Sequence, residues 1–205
     1  MPVMMNVPEN FGDIDIYLFD QILKGRFSDG MRILDAGCGG GRNLIYFLRN
    51  NYEVFAVDEN EEAIDSVRNL SAQLAPNLPQ ENFQSSKVES MPFRERSFDA
   101  VLSSAVLHFA RDEEQFWAMV NEMWRLLRPG GIFFARTASS IGIEGLIEPI
   151  GGRRFLLLDG SERFLVNEEY IGEVWGSLNA TWLEPIKTTN VQNLRCMTTL
   201  VLRKN

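Results

Sequence analysis

The stretch MRILDAGCGGGRN, residues 31–43, decides the fold of this chain. Ile33 and Leu34 lie in a short apolar run that ends at Asp35, and apolar residues at helical spacing follow the glycines at residues 43–48. This order predicts a strand, a glycine turn and a helix. Glycines permit the positive φ values of a tight turn and let a ligand reach backbone N–H groups at the start of the helix. A nucleotide-cofactor site is favoured over a turn without a ligand, because four glycines exceed what a turn alone requires.

The spacing of the glycines distinguishes two classes of cofactor. A dinucleotide fingerprint reads G-x-G-x-x-G, and Gly37 and Gly39 fit its first two positions while Arg42 occupies the third. The pattern E/D-x-G-x-G-x-G is matched at every position, by Asp35, Gly37, Gly39 and Gly41. An acidic group at the tip of the strand repels phosphate and suits a cationic ligand. The pattern therefore favours a cationic cofactor over a dinucleotide.

A second carboxylate, Asp58, ends the next predicted strand at residues 52–58. It lies about twenty residues beyond the glycine turn, where a carboxylate can accept hydrogen bonds from both ribose hydroxyls of a nucleoside. Asp58 therefore predicts recognition of an adenosine group. Its alternative role is to cap the helix that follows, and the two roles are compatible.

Composition and charge restrict the class of protein. The 205 residues are 45% hydrophobic and 23% charged, which suits one domain with a single packed core. A net charge of −8 argues against binding to a nucleic-acid backbone. Two cysteines, Cys38 and Cys196, do not form a disulfide framework, and we interpret Cys38 as a small residue that fits the turn. Residues 1–6 lack the features of a signal peptide and no apolar run has membrane-spanning length, so we expect a soluble, cytoplasmic protein, as a monomer or homodimer.

The N-terminal half alternates helices and strands. Asp13 is predicted to cap a helix before the first strand, and this helix either packs on the sheet or covers the cofactor as a lid, with Tyr17 as a polar contact. Further strands are predicted at residues 82–88 and 98–103. Crossing from the first strand to the fourth reverses the winding of the sheet, and ligands bind at such a switch point.

The C-terminal half continues this pattern with an insertion. Asp112 is predicted to cap a helix before a fifth strand at residues 132–136. Residues 139–166 form a glycine-rich insertion over the strand ends, with a predicted hairpin at residues 155–158 and 163–166. A helix is predicted from Asn167, and an antiparallel pair of strands closes the fold at residues 182–191 and 195–203.

His108 is the only histidine of the chain, which excludes a metal site built from several histidines. It follows the fourth predicted strand, where an imidazole can act as a general base near the reacting atom. The alternative is a histidine whose hydrogen bonds are satisfied within the fold. No metal site is predicted.

Five motifs, in this order, resemble those of class I S-adenosylmethionine-dependent methyltransferases. They are the glycine stretch from Asp35, Asp58, and residues 91–93, 97–99 and 127–131. The resemblance covers most of residues 31–138. Within that superfamily, residues 41–43, 106–109 and 200–204 are similar to the small tellurite-resistance-type methyltransferases.

The resemblance implies a Rossmann-like, doubly wound α/β fold with a mostly parallel seven-stranded sheet. The implied strand order is 3-2-1-4-5-7-6, with strand 7 antiparallel and helices on both faces. The implied cofactor is S-adenosyl-L-methionine, with Asp35 and the backbone at Gly37 near its methionine amino group and Asp58 on its ribose hydroxyls. By position, the other cofactor-binding residues are Cys38, Gly39, Gly41, Glu59, Val88, Glu89 and Ser103.

The chain departs from the pattern of the superfamily at two positions. Lys87 stands where many relatives have an aspartate that receives the adenine amino group, so adenine recognition here depends on Glu89 or on backbone groups. Phe109 stands where many relatives carry a histidine.

The predicted activity is in-line transfer of a methyl group from S-adenosylmethionine to a small-molecule acceptor. His108 and Arg136 are the predicted catalytic residues. Other candidates for the acceptor pocket are Ser104, Thr137, Arg153 and Arg154. Two alternatives stay open, a non-catalytic S-adenosylmethionine-binding module and an NAD-type oxidoreductase. The sequence leaves open whether the acceptor is a thiol, an oxyanion, a hydroxyl or an amine.

Overall fold

The computed structural model describes residues 6–205 and is built around a mixed β-sheet. The strands are β1 (Arg32–Ala36), β2 (Glu53–Asp58), β3 (Phe83–Ser85), β4 (Phe98–Ser104), β5 (Leu127–Ser139), β6 (Glu148–Gly151), β7 (Arg154–Leu156), β8 (Glu162–Phe164), β9 (Ala180–Trp182), β10 (Lys187–Val191) and β11 (Arg195–Lys204). The helices are α1 (Val7–Phe11), α2 (Ile16–Leu23), α3 (Ile45–Arg49), α4 (Glu61–Leu74), α5 (Glu113–Leu126) and α6 (Glu168–Ser177), with short 3₁₀ turns at Gln80–Asn82 and Leu107–Phe109.

The main sheet has the strand order β3-β2-β1-β4-β5-β11-β10. Strands β1 to β5 pair in parallel, and β11 runs antiparallel to β5. Both β9 and β10 pair with the other edge of β11. With β11 as strand 7, this confirms the predicted order 3-2-1-4-5-7-6 and its antiparallel strand.

The predicted strand at residues 182–191 is divided into β9 and β10. Residues 183–186 separate the two pieces, and Pro185 lies among them. Proline has no N–H to donate to the neighbouring strand, so it interrupts the pairing of an edge strand.

Both faces of the sheet are buried, because helices cover each of them. Ile33 on β1 belongs to a core layer that contains Phe47 of α3 and Ile64 of α4. The next residue, Leu34, points to the opposite face and belongs to a layer that contains Phe116 of α5 and Trp175 of α6. The predicted α/β fold with helices on both faces is therefore confirmed.

Two predicted helix starts agree with the structure and a third does not. Asp112 caps α5, as predicted, and Asn167, where a helix was predicted to start, caps α6. The N-terminal helix α2 is instead capped by Asp15, whose carboxylate accepts a hydrogen bond from Tyr17 N at 2.9 Å. The predicted cap, Asp13, is exposed. Helix α1 was not predicted.

The insertion contains a small three-stranded sheet in the order β6-β7-β8. Its β7 and β8 form the predicted hairpin, although each is only three residues long. The edge strand β6 was not predicted, because all of its residues are exposed and its sequence lacks an apolar alternation.

No helix within residues 6–205 is long and apolar enough to cross a membrane. The prediction that residues 1–6 are not a signal peptide falls almost entirely outside the described residues. Cytoplasmic location, a single domain and a monomeric or homodimeric state stay predictions.

Candidate active site

A cleft of about 540 Å³ opens where the chain crosses from β1 to β4, at the carboxyl ends of the parallel strands. We call it the glycine cleft, because residues 37–40 form its floor. Its other walls are Asp58 and Glu59 at the end of β2, residues 87–89 after β3, and residues 104–106 at the end of β4. The cleft therefore lies at the predicted switch point of the sheet.

The glycine turn is held against β2 and leaves open space above it. The N–H groups of Gly37 and Cys38 both donate to the carbonyl of Val57, at 2.8 and 3.0 Å. Gly37 has φ +79°, and a Cβ on it would lie 2.5 Å from Cγ2 of Val106. Gly39 has φ +50°, and a Cβ on it would meet no atom within 4 Å. Position 37 must therefore be glycine, because Val106 leaves no room for a side chain there. The space beside Gly39 is free for a ligand.

Asp58 joins the glycine turn to the end of β2. Its Oδ2 accepts a hydrogen bond from Gly39 N at 2.8 Å, and its Oδ1 accepts one from Asn60 N at 3.0 Å. The side chain that caps α4 is that of Asn60. A carboxylate has about four lone-pair sites, so both oxygens of Asp58 can still accept bonds from a ligand in the cleft.

Glu89 is held in position at the far end of the cleft by α5. Gln115 Nε2 donates to Glu89 Oε1 at 3.0 Å, and Gln115 lines the cleft. Lys87, the departure from the superfamily pattern, also lines it. The sequence carries no local signal for Gln115, because it lies 26 residues from Glu89.

Asp35 lies behind the glycine turn and is 1% exposed. Burial raises the pKa of its carboxyl to about 7, the nearby charge of Arg42 opposes this rise, and Asp58 adds to it. Neither carboxyl oxygen has a hydrogen-bond partner among residues 6–205. Within the described part of the chain, the structure thus holds a buried carboxyl group without a hydrogen-bond partner next to the cleft.

Replacing Asp35 with asparagine is expected to stabilise the ligand-free protein at pH 8 by about 2 kcal/mol or less, because a buried anion is removed while a buried amide without a partner remains. The folded pKa, about 7, lies above the reference value of 3.8, so the native state holds a proton that the unfolded state releases. The free energy of unfolding of the wild type should therefore fall from about pH 4 to pH 7. Urea unfolding of the wild type and the variant at pH 4.5 and pH 8 measures both free energies of unfolding. If the variant differed from the wild type by the same free energy at both pH values, the prediction would be contradicted.

A second cavity of about 330 Å³ lies beside the glycine cleft, and the two share the residues Ala105 and Phe109. We call it the arginine cavity, because Arg136, Arg163 and Arg195 line it. Ala105 has φ +64°, an uncommon value for a residue with a side chain, and its N–H donates to Arg136 O at 2.7 Å. Two cavities thus meet at the ends of β4 and β5.

Comparisons with known proteins identify the fold and the family. A family model described as a methyltransferase domain matches residues 34–135, about half of the chain. The chain belongs to the class I S-adenosylmethionine-dependent methyltransferase superfamily. The superfamily predicted from the glycine motifs is therefore confirmed.

Individual relatives agree with this assignment. A ubiquinone biosynthesis O-methyltransferase from Mesorhizobium japonicum is 32% identical over 161 residues, which cover 76% of this chain and 62% of the relative. A SAM-dependent methyltransferase from Methanosarcina mazei has the same fold, with a TM-score of 0.72 at 20% identity over 89% of this chain and 96% of that one. The chain spans less than half the length of several other curated methyltransferases that it matches.

The predicted similarity to tellurite-resistance methyltransferases is a likeness of fold. TehB from Haemophilus influenzae superimposes with a TM-score of 0.67 at 20% identity, covering 96% of this chain and 64% of TehB. Identity at this level supports the shared methyltransferase fold and not a shared acceptor.

Most of the predicted cofactor residues of this methyltransferase domain border the glycine cleft. Those that line it are Gly37, Cys38, Gly39, Asp58, Glu59, Val88 and Glu89. Asp35, Gly41 and Ser103 do not line it, although Ser104, the neighbour of Ser103, does. Burial raises the pKa of the Cys38 thiol well above its usual range, which agrees with the interpretation of Cys38 as a small residue that fits the turn.

His108 lines the arginine cavity and is 6% exposed. Its Nδ1 accepts a hydrogen bond from Ala138 N at 3.3 Å, which places the proton of the neutral ring on Nε2. Burial, and secondarily the charges of Arg163 and Arg195, lower its pKa to about 4. This geometry does not suit the predicted general base, because neither ring nitrogen has a free lone pair. The alternative, a histidine satisfied within the fold, agrees with the observed hydrogen bond.

Arg136 joins the N-terminal helix to the strand ends. Its Nη1 lies 3.0 Å from Oδ2 of Asp15, a carboxylate whose side chain is 1% exposed. Arg42 approaches the same oxygen to 3.7 Å, and Ser104 Oγ donates to it at 3.3 Å. Tyr17 lies beneath the Arg136 guanidinium, with 5.2 Å from Cζ to the ring centroid. Arg136 thus ties the start of α2 to the ends of β4 and β5. No residue of α2 lines either cavity, and Leu18 packs in the core layer of Ile33, which agrees with the prediction that this helix packs on the sheet.

The other predicted acceptor residues lie outside the arginine cavity. Thr137 is fully buried. Arg153 packs over the ring of Tyr170 at 3.8 Å, and Arg154 pairs with Glu162 at 2.9 Å. The arginine of the insertion that lines the arginine cavity is Arg163, and not Arg153 or Arg154. Strand β11 adds Arg195 to the same lining.

Proposed function

We propose that this protein transfers a methyl group from S-adenosylmethionine, bound in the glycine cleft, to a small molecule bound in the arginine cavity. The observation that carries this proposal is the meeting of the two cavities at Ala105 and Phe109, at the carboxyl ends of β4 and β5. Superfamily membership supports S-adenosylmethionine as the cofactor. When a donor and an acceptor are held in adjoining cavities, their reaction becomes effectively unimolecular. The protein can then align the two reacting groups, which is the main requirement of an in-line displacement.

The residues of the glycine cleft fit this cofactor. The free space beside Gly39 accommodates the ligand, and Asp58 has acceptor capacity for ribose hydroxyls. The buried carboxyl of Asp35 has no hydrogen-bond partner among the described residues, so its ionised form favours a ligand with a positive charge nearby. In this proposal Glu59, Val88 and Glu89 contact the adenine end, Ser103 and its neighbour Ser104 lie at the methionine end, and Gly41 and Cys38 shape the turn.

The bound cofactor supplies a methyl group that is already activated by its sulfonium sulfur. The residues of the chain therefore act mainly by alignment and by exclusion of water. His108 donates from Nε2 rather than accepting a proton, since its Nδ1 already accepts from Ala138 N. The favoured acceptor is accordingly a group that is nucleophilic without a histidine base, such as an anionic oxygen or a thiolate.

Calorimetric titration tests the cofactor half of this function. We expect wild-type protein to bind S-adenosylmethionine and S-adenosylhomocysteine with micromolar or tighter affinity and not to bind NADH. NADH binding alone would overturn the proposal in favour of an oxidoreductase, a class that Arg42 in the third glycine position disfavours. Tight cofactor binding without methyl transfer to any member of a broad acceptor panel would favour the non-catalytic module.

A further inference from the structure

We propose that the methyl acceptor carries an anionic group, a carboxylate or a phosphate, which Arg163 and Arg195 bind in the arginine cavity. This inference rests on the proposed function and specifies the substrate class of the same site. The first observation is that two basic side chains, Arg163 and Arg195, lie in the wall of one cavity, although the chain as a whole carries a net charge of −8.

The positive charge of the cavity is only partly neutralised. Arg136 is paired with the buried carboxylate of Asp15 at 3.0 Å. Arg163 has no carboxylate within 4.0 Å among the described residues, and one of its nitrogens donates to the backbone carbonyl of Glu162. Arg195 approaches Asp159 only to 3.9 Å. Two guanidinium groups therefore keep most of their hydrogen-bonding capacity for a ligand.

The single carboxylate of the cavity is already engaged. Asp159 Oδ1 accepts hydrogen bonds from Ser161 N at 3.0 Å and from Ser161 Oγ at 2.5 Å. These bonds, with Ser161 Oγ as the main cause, hold the pKa of Asp159 below its usual range. Because Asp15 compensates Arg136, the balance is one anion, Asp159, against two cations, Arg163 and Arg195. The cavity is therefore net positive and attracts an anionic acceptor.

His108 lines the same cavity as Arg163 and Arg195. The charges of Arg163 and Arg195 add to burial in lowering its pKa to about 4. The two arginines and the imidazole therefore line one cavity, and the Nε2–H group of His108 can donate a hydrogen bond to an anion bound there.

The rest of the wall is apolar and defines the body of the acceptor. Phe109, Leu157, Val191 and Met197 line the cavity between the arginines. A volume of about 330 Å³ lies at the small end of the range for ligand pockets. A small aromatic or aliphatic anion fits this combination better than a neutral or cationic molecule of the same size.

Nuclear magnetic resonance tests the inference without knowledge of the reacting atom. The only histidine lies in the cavity wall, so its Hε1 resonance is a single, unambiguous probe. Protein saturated with S-adenosylhomocysteine is titrated with benzoate, phenyl phosphate and the neutral benzamide. We expect a saturable shift with benzoate or phenyl phosphate, according to whether the site prefers a carboxylate or a phosphate, and at least tenfold weaker binding of benzamide.

Matched variants locate the binding groups. Arg163→Gln and Arg195→Gln should each weaken anion binding at least fivefold and raise the titration midpoint of His108, because a positive neighbour is removed. Arg154→Gln is the control, since that arginine belongs to the same insertion but lies outside the cavity. Affinity for S-adenosylhomocysteine should stay unchanged in all three variants, which also verifies folding.

The outcomes separate this inference from the proposed function. Equal binding of benzamide, no saturable shift with either anion, or full anion affinity in both cavity variants would each overturn the inference while cofactor binding stands. If S-adenosylhomocysteine does not bind, the proposed function fails, and the same anion titration on the ligand-free protein still decides whether the cavity selects anions.

Discussion

Replacing Asp58 with alanine is expected to weaken the binding of S-adenosylhomocysteine by about 100-fold or more. Two ribose hydroxyls that donate to a charged acceptor are each worth about 1.5–3 kcal/mol. The substitution also removes the bonds from Gly39 N and Asn60 N, which fix the glycine turn and the start of α4. Isothermal titration calorimetry of both proteins measures the loss.

A matched carboxylate controls for charge in this experiment. Asp65 lies on α4, is exposed, and pairs only with Arg68 at 3.0 Å among the described residues. Asp65→Ala removes the same charge from α4, the helix that follows Asp58 in the chain, and should change the affinity less than twofold. Similar losses in the two variants would mean that general electrostatics, and not the hydrogen bonds of Asp58, determine affinity.

Replacing Asp15 with alanine is expected to lower the free energy of unfolding by about 3 kcal/mol. Removal of one partner of a buried ion pair leaves the other charge without compensation, at a typical cost of about 3–5 kcal/mol. We take the lower end, because the Arg136 side chain is 21% exposed. The variant also loses the cap of α2. Thermal unfolding should show a midpoint lower by roughly 6–12 °C.

Asp13 supplies the comparison for this second variant. It lies two residues earlier and is exposed. Asp13→Ala should change stability by less than about 0.5 kcal/mol. A large effect at Asp13 with a small one at Asp15 would show that the sequence-based cap was right and that the ion pair with Arg136 contributes little.

The cofactor half of the site could be predicted because its contacts are local in the sequence. Gly39 and Asp58 are 19 residues apart and belong to one strand-helix-strand unit, whose handedness and geometry vary little. The spacing of the glycines and the acid at the next strand end therefore predicted their proximity. Gln115 also lines the glycine cleft but was not predicted, because it belongs to α5, a helix outside that strand-helix-strand unit.

The proposed acceptor half could not be predicted because its contacts are distant in the sequence. Asp15 meets Arg136 across 121 residues, and no periodicity encodes that approach. The hairpin shows the same difficulty on a smaller scale. Arg154 lies opposite Phe164, and Arg163 lies opposite Phe155, so the two arginines fall on different faces of the hairpin. Only the register decides which of them lines the cavity.

The position of β11 has a consequence for the order in which the protein matures. The glycine cleft is lined by residues between 37 and 119, whereas the arginine cavity needs Arg195 and Met197. During synthesis, the walls of the first cavity leave the ribosome some 75 residues before those of the second are complete. Until β11 pairs with it, β5 presents an open sheet edge that includes the apolar run Ile132, Phe133 and Phe134, the kind of edge that invites aggregation. With the proposed roles of the two cavities, a nascent chain at that stage would bind its cofactor before it could bind an acceptor, and bound cofactor would stabilise the exposed intermediate by mass action.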